Sequence, residues 1–281
     1  MEKRIREISC NLSNIKNRID KACSKTSRDP KEVKIIAVSK CFPTSDILIA
    51  NSLSLNDFGE NRVQEMIEKF NEIGTKVIWH QIGHLQTNKV RQIIDKVHLI
   101  HSVSSDNLLT VINKEAGKIS RVANILLQVN TSGEISKFGI KEKDIDYFLS
   151  KIERMKNIKL KGLMTIAPHY KNPEDTRTVF RDLKKLFDSI KCYKIKNVEM
   201  TELSMGMSND YDIAIQEGST MIRVGTSLFD QRQYNISGTM LMGLIYRFRL
   251  LPKEKDPKRS NNPKIPARFF KGCRSKEIRI G

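Results

Sequence analysis

The stretch IIAVSKCFP, residues 35–43, follows a short apolar run with a lysine. Residues 35–38 have the length and the residue types of a strand that is covered on both faces, as strands of parallel sheets are. Lys40, two residues after this run, either extends its ammonium group to water or is held in a site for its chemistry. The other motifs of the chain have to distinguish between these two interpretations.

Seven further apolar runs follow, and amphipathic segments separate them. The eight predicted strands are KIIAVSK from Lys34, DFGE from Asp57, VIWHQIG from Val77, LIHSV from Leu99, NILLQVN from Asn124, LKGLMTIA from Leu160, ELSMG from Glu202 and MIRVGTSLF from Met221. Strands that alternate with helices pair in parallel, and eight such units in about 200 residues predict an α/β protein with a single (β/α)8 TIM barrel. A doubly wound open sheet is the alternative, but the glycine-rich dinucleotide fingerprint does not follow the first strand.

The composition is that of a globular protein. Of the 281 residues, 39% are hydrophobic and 29% are charged, and no apolar run approaches the roughly 20 residues of a membrane span. Near the start, isoleucine and leucine residues spaced three and four apart predict an amphipathic N-terminal helix and not a signal peptide. Five cysteines without a CxxC pair indicate a reducing compartment, so we expect a cytoplasmic protein without a zinc site.

The formal net charge of +18 is unevenly distributed along the chain. Residues 235–281 carry six lysines and six arginines against three acidic residues, which is half of the excess. We expect the barrel over residues 1–234 and a basic, partly disordered C-terminal extension over 235–281, with a short apolar helix over 239–250. Nucleic-acid binding through this extension is one alternative function, but stacking aromatics in a recognised module are missing, so no nucleic-acid partner is expected.

A barrel predicts where ligand-binding groups gather. Active sites lie at the carboxyl ends of the strands, and a phosphate commonly binds after strands seven and eight. Ser204 on strand seven, with Gly225 and Thr226 at the end of strand eight, are therefore candidate phosphate ligands, although capping and tight packing are alternative reasons for such residues. Arg223 is a cation within an apolar strand, and it either pairs with a carboxylate or points at a ligand.

Lys40 shares this predicted mouth with the phosphate site. An amine that faces a phosphate site suggests a phosphorylated aldehyde as the ligand, and pyridoxal 5'-phosphate is the obvious candidate, because it forms a Schiff base with lysine. His80 and His84 are four apart, but they fall on a strand and a turn, where the geometry of a helical metal pair does not apply. We expect structural hydrogen bonding from these histidines and no metal.

Long ordered motifs of the chain resemble those of the pyridoxal phosphate homeostasis protein family. The likeness runs from about Val33 to Phe229 and is carried by AVSK, FGENRVQE, WHQIGHLQTNK, IHSV, LLQVNTSGEISKFG, GLMTIAP and LSMGMSNDYDIAIQEGSTMIRVGTSLF. The resemblance implies one (β/α)8 barrel, similar to the N-terminal domain of alanine racemase. Nothing of this family is recognisable in residues 235–281.

The resemblance also implies a set of cofactor contacts. The six cofactor-binding residues it implies are Lys40, Asn61, Ser204, Arg223, Gly225 and Thr226. Lys40 would hold pyridoxal 5'-phosphate as an internal aldimine, Arg223 would face the pyridine nitrogen, and Asn61 would lie near the ring. The other three would hold the phosphate. Lys137 matches a lysine near the mouth and would have a secondary role in cofactor handling.

The implied arginine bears on whether the protein is an enzyme. Pyridoxal phosphate performs its own chemistry, and an arginine at the ring nitrogen disfavours protonation of that nitrogen, which weakens the electron sink. Alanine racemases work with such an arginine because a second domain and a partner subunit supply a catalytic tyrosine, whereas only about 50 residues follow this barrel. We therefore expect a monomer that buffers or delivers the cofactor in vitamin B6 homeostasis, with little or no catalysis and transient contacts with apo-enzymes. An amino-acid racemase is the alternative.

Overall fold

The computed structural model describes residues 1–131 and 138–230 of the chain. Its strands are β1 (Lys34–Val38), β2 (Asp57–Glu60), β3 (Ile78–Gln81), β4 (Leu99–Val103), β5 (Ala123–Gln128), β6 (Ile158–Met164), β7 (Val198–Met207) and β8 (Met221–Val224). They pair in parallel in chain order, and β8 pairs with β1 to close the barrel. The eight predicted strands are all present, and the predicted TIM barrel is confirmed.

Helices follow the strands on the outside of the barrel. They are α1 (Glu2–Ser24), α2 (Thr44–Ser52), α3 (Val63–Ile73), α4 (Val90–Ile93), α5 (Asp106–Lys118), α6 (Ile145–Glu153), α7 (Arg177–Lys191), α8 (Tyr211–Gln216) and α9 (Thr226–Phe229). In α7 the buried side chains recur at the 3.6-residue period of an amphipathic helix, and they are Val179, Phe180, Leu183, Phe187 and Ile190. None of the helices in the described ranges is long and apolar enough to cross a bilayer.

The predicted N-terminal helix is α1, and it completes the outer layer where α9 is too short to do so. Its buried apolar side chains are those of Ile8, Leu12, Ile15 and Ile19. It packs against α2, α8 and α9. The Asn11 amide donates to the carbonyl oxygen of Leu228 (3.1 Å), and Arg4 Nη2 donates to the carbonyl oxygen of Phe229 (3.0 Å). Helix α1 therefore fastens the end of the described barrel to its beginning.

Two apolar clusters form the core because alternate residues of each strand point to opposite faces of the sheet. The larger cluster lies between the strands and the helices. The smaller cluster fills the barrel interior and consists of Ile36, Val38, Ile82, Leu99, Leu126, Met164 and Met221. Several polar side chains are buried beside it, and some of them belong to the site described below.

One glycine is required by the close approach of two strands. The register between β6 and β7 shifts between Leu160 and Gly162. Gly162 has a φ of 154°, and a Cβ added there would collide with the carbonyl oxygen of Glu202. Only glycine lets the two backbones approach this closely.

Some expectations lie outside the described residues. They concern Lys137, the apolar helix over 239–250, and the boundary between a barrel ending at residue 234 and its extension. These three stay predictions.

Candidate cofactor site

The carboxyl ends of the strands surround a cavity of about 640 Å³. That volume lies within the range of small-molecule and cofactor sites. Five of the six candidate residues line it, and they are Lys40, Asn61, Arg223, Gly225 and Thr226. Loops after β3, β6 and β7 supply other parts of the wall, among them His84, Ile166, Tyr170, Lys171, Ser208 and Asp210. The sixth candidate, Ser204, is not part of the lining.

Lys40 lies just after β1 in a loop that is held on both sides. The Ser39 hydroxyl donates to Glu60 Oε1 (2.7 Å), and the Cys41 N–H donates to the Glu65 carboxylate. Cys41 has a φ of 65°, a left-handed conformation that a non-glycine residue keeps only where surrounding contacts fix it. Within the described ranges the Lys40 ammonium makes neither an ion pair nor a hydrogen bond. The loop is anchored, while its amine is left available to the cavity.

The anchor below this loop is a buried group of charges that the sequence motifs did not reveal. Lys69 Nζ lies 2.7 Å from Glu60 Oε1 and 2.8 Å from Glu65 Oε1. Glu60 is fully buried, and this burial raises the pKa of its carboxyl group although Lys69 and Ser39 act in the opposite direction. The four-residue spacing of Glu65 and Lys69 on α3 was a visible sign of an ion pair, but nothing in the sequence placed it beneath Lys40.

Arg223 is a buried cation at the base of the cavity. Its Nη1 donates to Ser204 Oγ (2.6 Å), and its Nη2 donates to the carbonyl oxygen of Thr165 (2.8 Å). Burial lowers the pKa of Arg223 to about 10, although the charge of Asp210 acts to raise it. No carboxylate in the described part of the chain forms an ion pair with it, so the carboxylate pair considered from the sequence is not found. A guanidinium group has five N–H donors, so three remain for a ligand.

Ser204 differs from its expected position. It was a candidate phosphate ligand, but β7 continues to Met207, so Ser204 lies inside the barrel and is fully buried. Its hydroxyl accepts from Arg223 and lies 2.9 Å from His101 Nδ1. Ser204 would thus reach a ligand only through Arg223. Ser208, directly after β7, lines the cavity instead.

The end of the cavity beside β7 and β8 offers neutral hydrogen-bond donors. Thr226 begins α9, where its N–H has no acceptor within the helix. The Ser208 hydroxyl accepts from the Ser227 N–H (3.3 Å), which leaves its own proton free to donate to a ligand. A Cβ on Gly225 would lie 3.3 Å from the carbonyl oxygen of Val38, another residue of the lining, so glycine leaves this wall open. Such a group of donors suits an anion.

The two histidines of the WHQIGH motif have different environments. His80 points into the barrel, where its ring nitrogens lie 2.9 Å from Asp57 Oδ1 and 3.0 Å from His101 Nε2, so the expected structural hydrogen bonding is confirmed for it. His84 instead stacks on Phe138 at the cavity, with ring centroids 4.5 Å apart. In the part of the chain that the structure describes, no group of three or more potential ligands suits a metal ion.

Comparisons with known proteins agree with this geometry. The family described as alanine racemase, N-terminal domain, matches residues 10–233. A relative from Aquifex aeolicus, named pyridoxal phosphate homeostasis protein, is 41% identical over 79% of this chain and 97% of its own length. A crystal structure of an unknown protein from Bifidobacterium adolescentis is 32% identical, with a TM-score of 0.78, and covers 82% of this chain and 97% of that one.

PipY of Synechococcus elongatus PCC7942, whose structure is described as having PLP bound, is similar along nearly its whole length. It is 33% identical, with a TM-score of 0.69, over 79% of this chain and 99% of that protein. Both the extent of these matches and the level of identity show a common family. The chain therefore belongs to the alanine racemase N-terminal domain family and, within it, to the pyridoxal phosphate homeostasis proteins.

Proposed function

We propose that this protein binds pyridoxal 5'-phosphate and takes part in its intracellular homeostasis, holding and delivering the cofactor with little or no catalysis. The observation that carries this proposal is that one cavity holds two groups, the amine of Lys40 and the buried guanidinium of Arg223. Within residues 1–131 and 138–230, the amine has no partner and three N–H donors of the guanidinium are unused. The Aquifex aeolicus relative named above bears this function in its name.

The residues present fit the cofactor at each of its functional groups. Lys40 would hold the cofactor by supplying the amine for its aldehyde group. Arg223 can only donate, so it suits an unprotonated ring nitrogen as the acceptor. Thr226, Gly225 and Ser208 supply N–H and hydroxyl donors for the phosphate.

Asn61 and Asp210 complete this assignment. Asn61 is an amide in the same lining and is assigned to the neighbourhood of the ring. Burial raises the pKa of the Asp210 carboxyl, although the Met207 N–H donates to its Oδ1 (2.6 Å). Because its pKa is raised, this carboxyl group takes up a proton more readily than an ordinary aspartate when an anion binds nearby.

The same arginine argues against catalysis. Bound pyridoxal phosphate supplies an electron sink, and this sink is strongest when its ring nitrogen is protonated. Since the pKa of Arg223 is about 10, its guanidinium is charged at neutral pH and has no lone pair with which to share a proton. An amino-acid racemase is the second candidate, because Tyr170 and His169 line the cavity and could move protons. Sustained racemisation of an amino acid by the purified protein would favour that candidate.

The cellular setting is also part of the proposal. The cysteines of the described ranges are all free thiols, in keeping with a cytoplasmic protein, and they are Cys10, Cys23, Cys41 and Cys192. The protein acts as a monomer and passes the cofactor to apo-enzymes through transient contacts. We expect no nucleic-acid partner and no membrane span.

The test is to locate the covalent attachment. The protein is mixed with pyridoxal 5'-phosphate, its absorbance is recorded, the adduct is fixed with borohydride, and the labelled peptide is identified by mass spectrometry. We expect the label on Lys40 and its loss, together with the visible band, in Lys40→Ala. Lys171→Ala is the matched control, because Lys171 lines the same cavity. A label on Lys171, or a band that survives in Lys40→Ala, would contradict the proposal.

A further inference from the structure

A chain of five polar side chains crosses the barrel interior and ends at the cavity. Its members, in order, are Asp57, His80, His101, Ser204 and Arg223. The successive distances are 2.9 Å, 3.0 Å, 2.9 Å and 2.6 Å, all within hydrogen-bonding range. The residues belong to β2, β3, β4, β7 and β8, so the chain spans the barrel from β4 to β7.

The two ends of this chain fix its direction. Arg223 can only donate, and an ionised Asp57 can only accept. A neutral histidine has one donor and one acceptor. The Ser204 hydroxyl therefore accepts a hydrogen bond from Arg223 and donates one to His101 Nδ1. The Nε2–H of His101 then donates to His80 Nδ1, and the Nε2–H of His80 donates to Asp57. The reverse order would set a bare His80 nitrogen against a carboxylate oxygen, with no proton between them.

The charge states support this direction. Burial lowers the pKa of His80 and of His101, so both rings are neutral at neutral pH. Burial acts to raise the pKa of Asp57, but the hydrogen bond with His80 and the nearby charge of Lys34 act against it, and the pKa is lowered.

Other charged and titratable groups face the chain from the neighbouring elements. Lys34 Nζ lies 4.0 Å from Asp57 Oδ1, and the His98 ring lies 5.7 Å from that of His80. At the other end, the charge of Asp210 acts to raise the pKa of Arg223. These groups do not interrupt the direction of the chain, because none of them bonds to the ring nitrogens of His80 or His101 within the described ranges.

We propose that Asp57, His80, His101 and Ser204 form a positioning relay that fixes the rotation of Arg223, so that its unused N–H groups face a neutral ring nitrogen in the cavity. This inference rests on the proposed function. It adds the residues that make the site prefer a ligand with an unprotonated ring nitrogen. Asp57 lies at the opposite end of the barrel from the cavity and touches no ligand there. Its negative charge orients each hydrogen-bond donor of the relay in turn. Ser204 does not line the cavity, and its role is to connect His101 with Arg223.

The binding test compares two ligands that differ only at the ring nitrogen. One is pyridoxal 5'-phosphate, and the other is its carbocyclic analogue, in which CH replaces that nitrogen. Asp57→Asn removes the charge of a side chain that is 15% exposed, so little packing is lost. We expect the variant to bind pyridoxal 5'-phosphate about tenfold more weakly, the effect of one impaired hydrogen bond to a charged group. Binding of the analogue should change less than about twofold.

The matched control is Asp95→Asn, which removes an exposed aspartate paired with Lys96 and should change neither affinity. Equal weakening of both ligands by Asp57→Asn, or no weakening of either, would overturn the relay. If the unmodified protein binds neither ligand, the proposed function fails, and the relay is then decided by the ligand-free measurement that follows.

That measurement is nitrogen NMR of the full-length protein. For His80 and His101 we expect a protonated Nε2 and an unprotonated Nδ1, and for Arg223 slow rotation of the guanidinium that becomes faster in Asp57→Asn. His98→Gln removes a neighbouring histidine outside the relay and helps to assign the signals. An Nδ1–H tautomer in either relay histidine, or an Arg223 rotation that Asp57→Asn leaves unchanged, would overturn the inference.

Discussion

Lys69 Nζ lies 2.7 Å from the carbonyl oxygen of Ser39, the residue immediately before Lys40. The same ammonium group binds Glu60 and Glu65, so one buried charge joins β2, α3 and the loop that carries the reactive amine. Lys40 is thereby positioned by an ion pair that it does not touch. This relationship makes the Lys69 side chain as important for the site as several residues of the cavity wall.

Replacing Lys69 with methionine should destabilise the protein strongly. The substitution leaves the carboxylate of Glu60 buried without its cation, and breaking a buried pair in this way costs about 3–5 kcal/mol. Urea unfolding at pH 7 without ligand measures the loss. Lys185→Met is the control, since the Lys185 side chain is 72% exposed and its ion pair contributes little. A loss below about 1 kcal/mol in Lys69→Met would mean that the pair is not an anchor.

The buried histidines should make stability depend on pH. Because burial lowers the pKa of His101 below the value near 6.5 that it has when unfolded, the unfolded chain binds more protons as the pH falls below that value. His101 therefore contributes stability that is fully present above pH 6.5 and is lost as the pH falls. The limiting slope for one such histidine is about 1.4 kcal/mol per pH unit.

This pH dependence is measured as a difference between variants, because the carboxyl groups of Glu60 and Asp210 also titrate. The free energy of unfolding is determined between pH 7.5 and pH 5.5 for the unmodified protein and for His101→Gln, and we expect a shallower slope in the variant. His169→Gln, which replaces an exposed histidine of the cavity lining, should keep the original slope. Identical slopes in all three proteins would show that the fold does not lower the pKa of His101.

Replacing Arg223 with methionine should separate binding from stability. Among the residues that the structure describes, the buried guanidinium has no carboxylate partner. An apolar side chain of similar length should therefore change the free energy of unfolding by no more than about 2 kcal/mol. The affinity for pyridoxal 5'-phosphate should fall at least about tenfold, because the ring nitrogen loses a charged donor. Urea unfolding and ligand titration measure the two effects. Unchanged affinity would remove Arg223 from the proposed site.

Gly162→Ala should destabilise the barrel at the junction of β6 and β7. The new methyl group would collide with the carbonyl oxygen of Glu202, and the backbone would have to shift at a cost of about 3 kcal/mol. Gly74→Ala is the control, because Gly74 also has a positive φ (66°) but no atom lies within 4 Å of an added Cβ. That variant carries the strain of a positive φ without a collision, so it should lose less, about 1–2 kcal/mol. Similar losses in both would mean that conformation, and not the close approach, requires glycine at position 162.

The barrel could be predicted because its strands are short, apolar and separated by helical periodicity. The beginning of β7 could not. The strand starts at Val198, four residues before the predicted start at Glu202. The prediction started too late because the polar residues Glu199 and Thr201 face outward and interrupt the apolar run. Lys161 Nζ pairs with Glu199 across the two strands (2.8 Å), a contact between residues far apart in sequence. Polar strand segments of this kind become visible only when the neighbouring strand is known.

Most of the candidate cavity residues could be predicted because they follow directly after strands. The position of Ser204 could not be predicted in this way. It depends on where β7 ends, which decides whether Ser204 or Ser208 reaches the mouth of the cavity. The contact of His80 with His101 depends on the register of β3 and β4, and that of His101 with Ser204 on the width of the barrel. Hydrophobic patterns specify neither quantity, so the relay was not foreseen.

Helix α1 has a consequence for how the barrel stays closed. Lys40 and Arg223 stand on either side of the seam between β1 and β8, strands whose pairing joins nearly the two ends of the described chain. Across that seam, Arg4 on α1 binds both Asp46 (2.7 Å) and the backbone of Phe229. Closing so long a loop is entropically costly and slow. A single arginine on α1 thus joins α2 and α9 across the seam, and it helps to keep the barrel closed where its first and last strands meet.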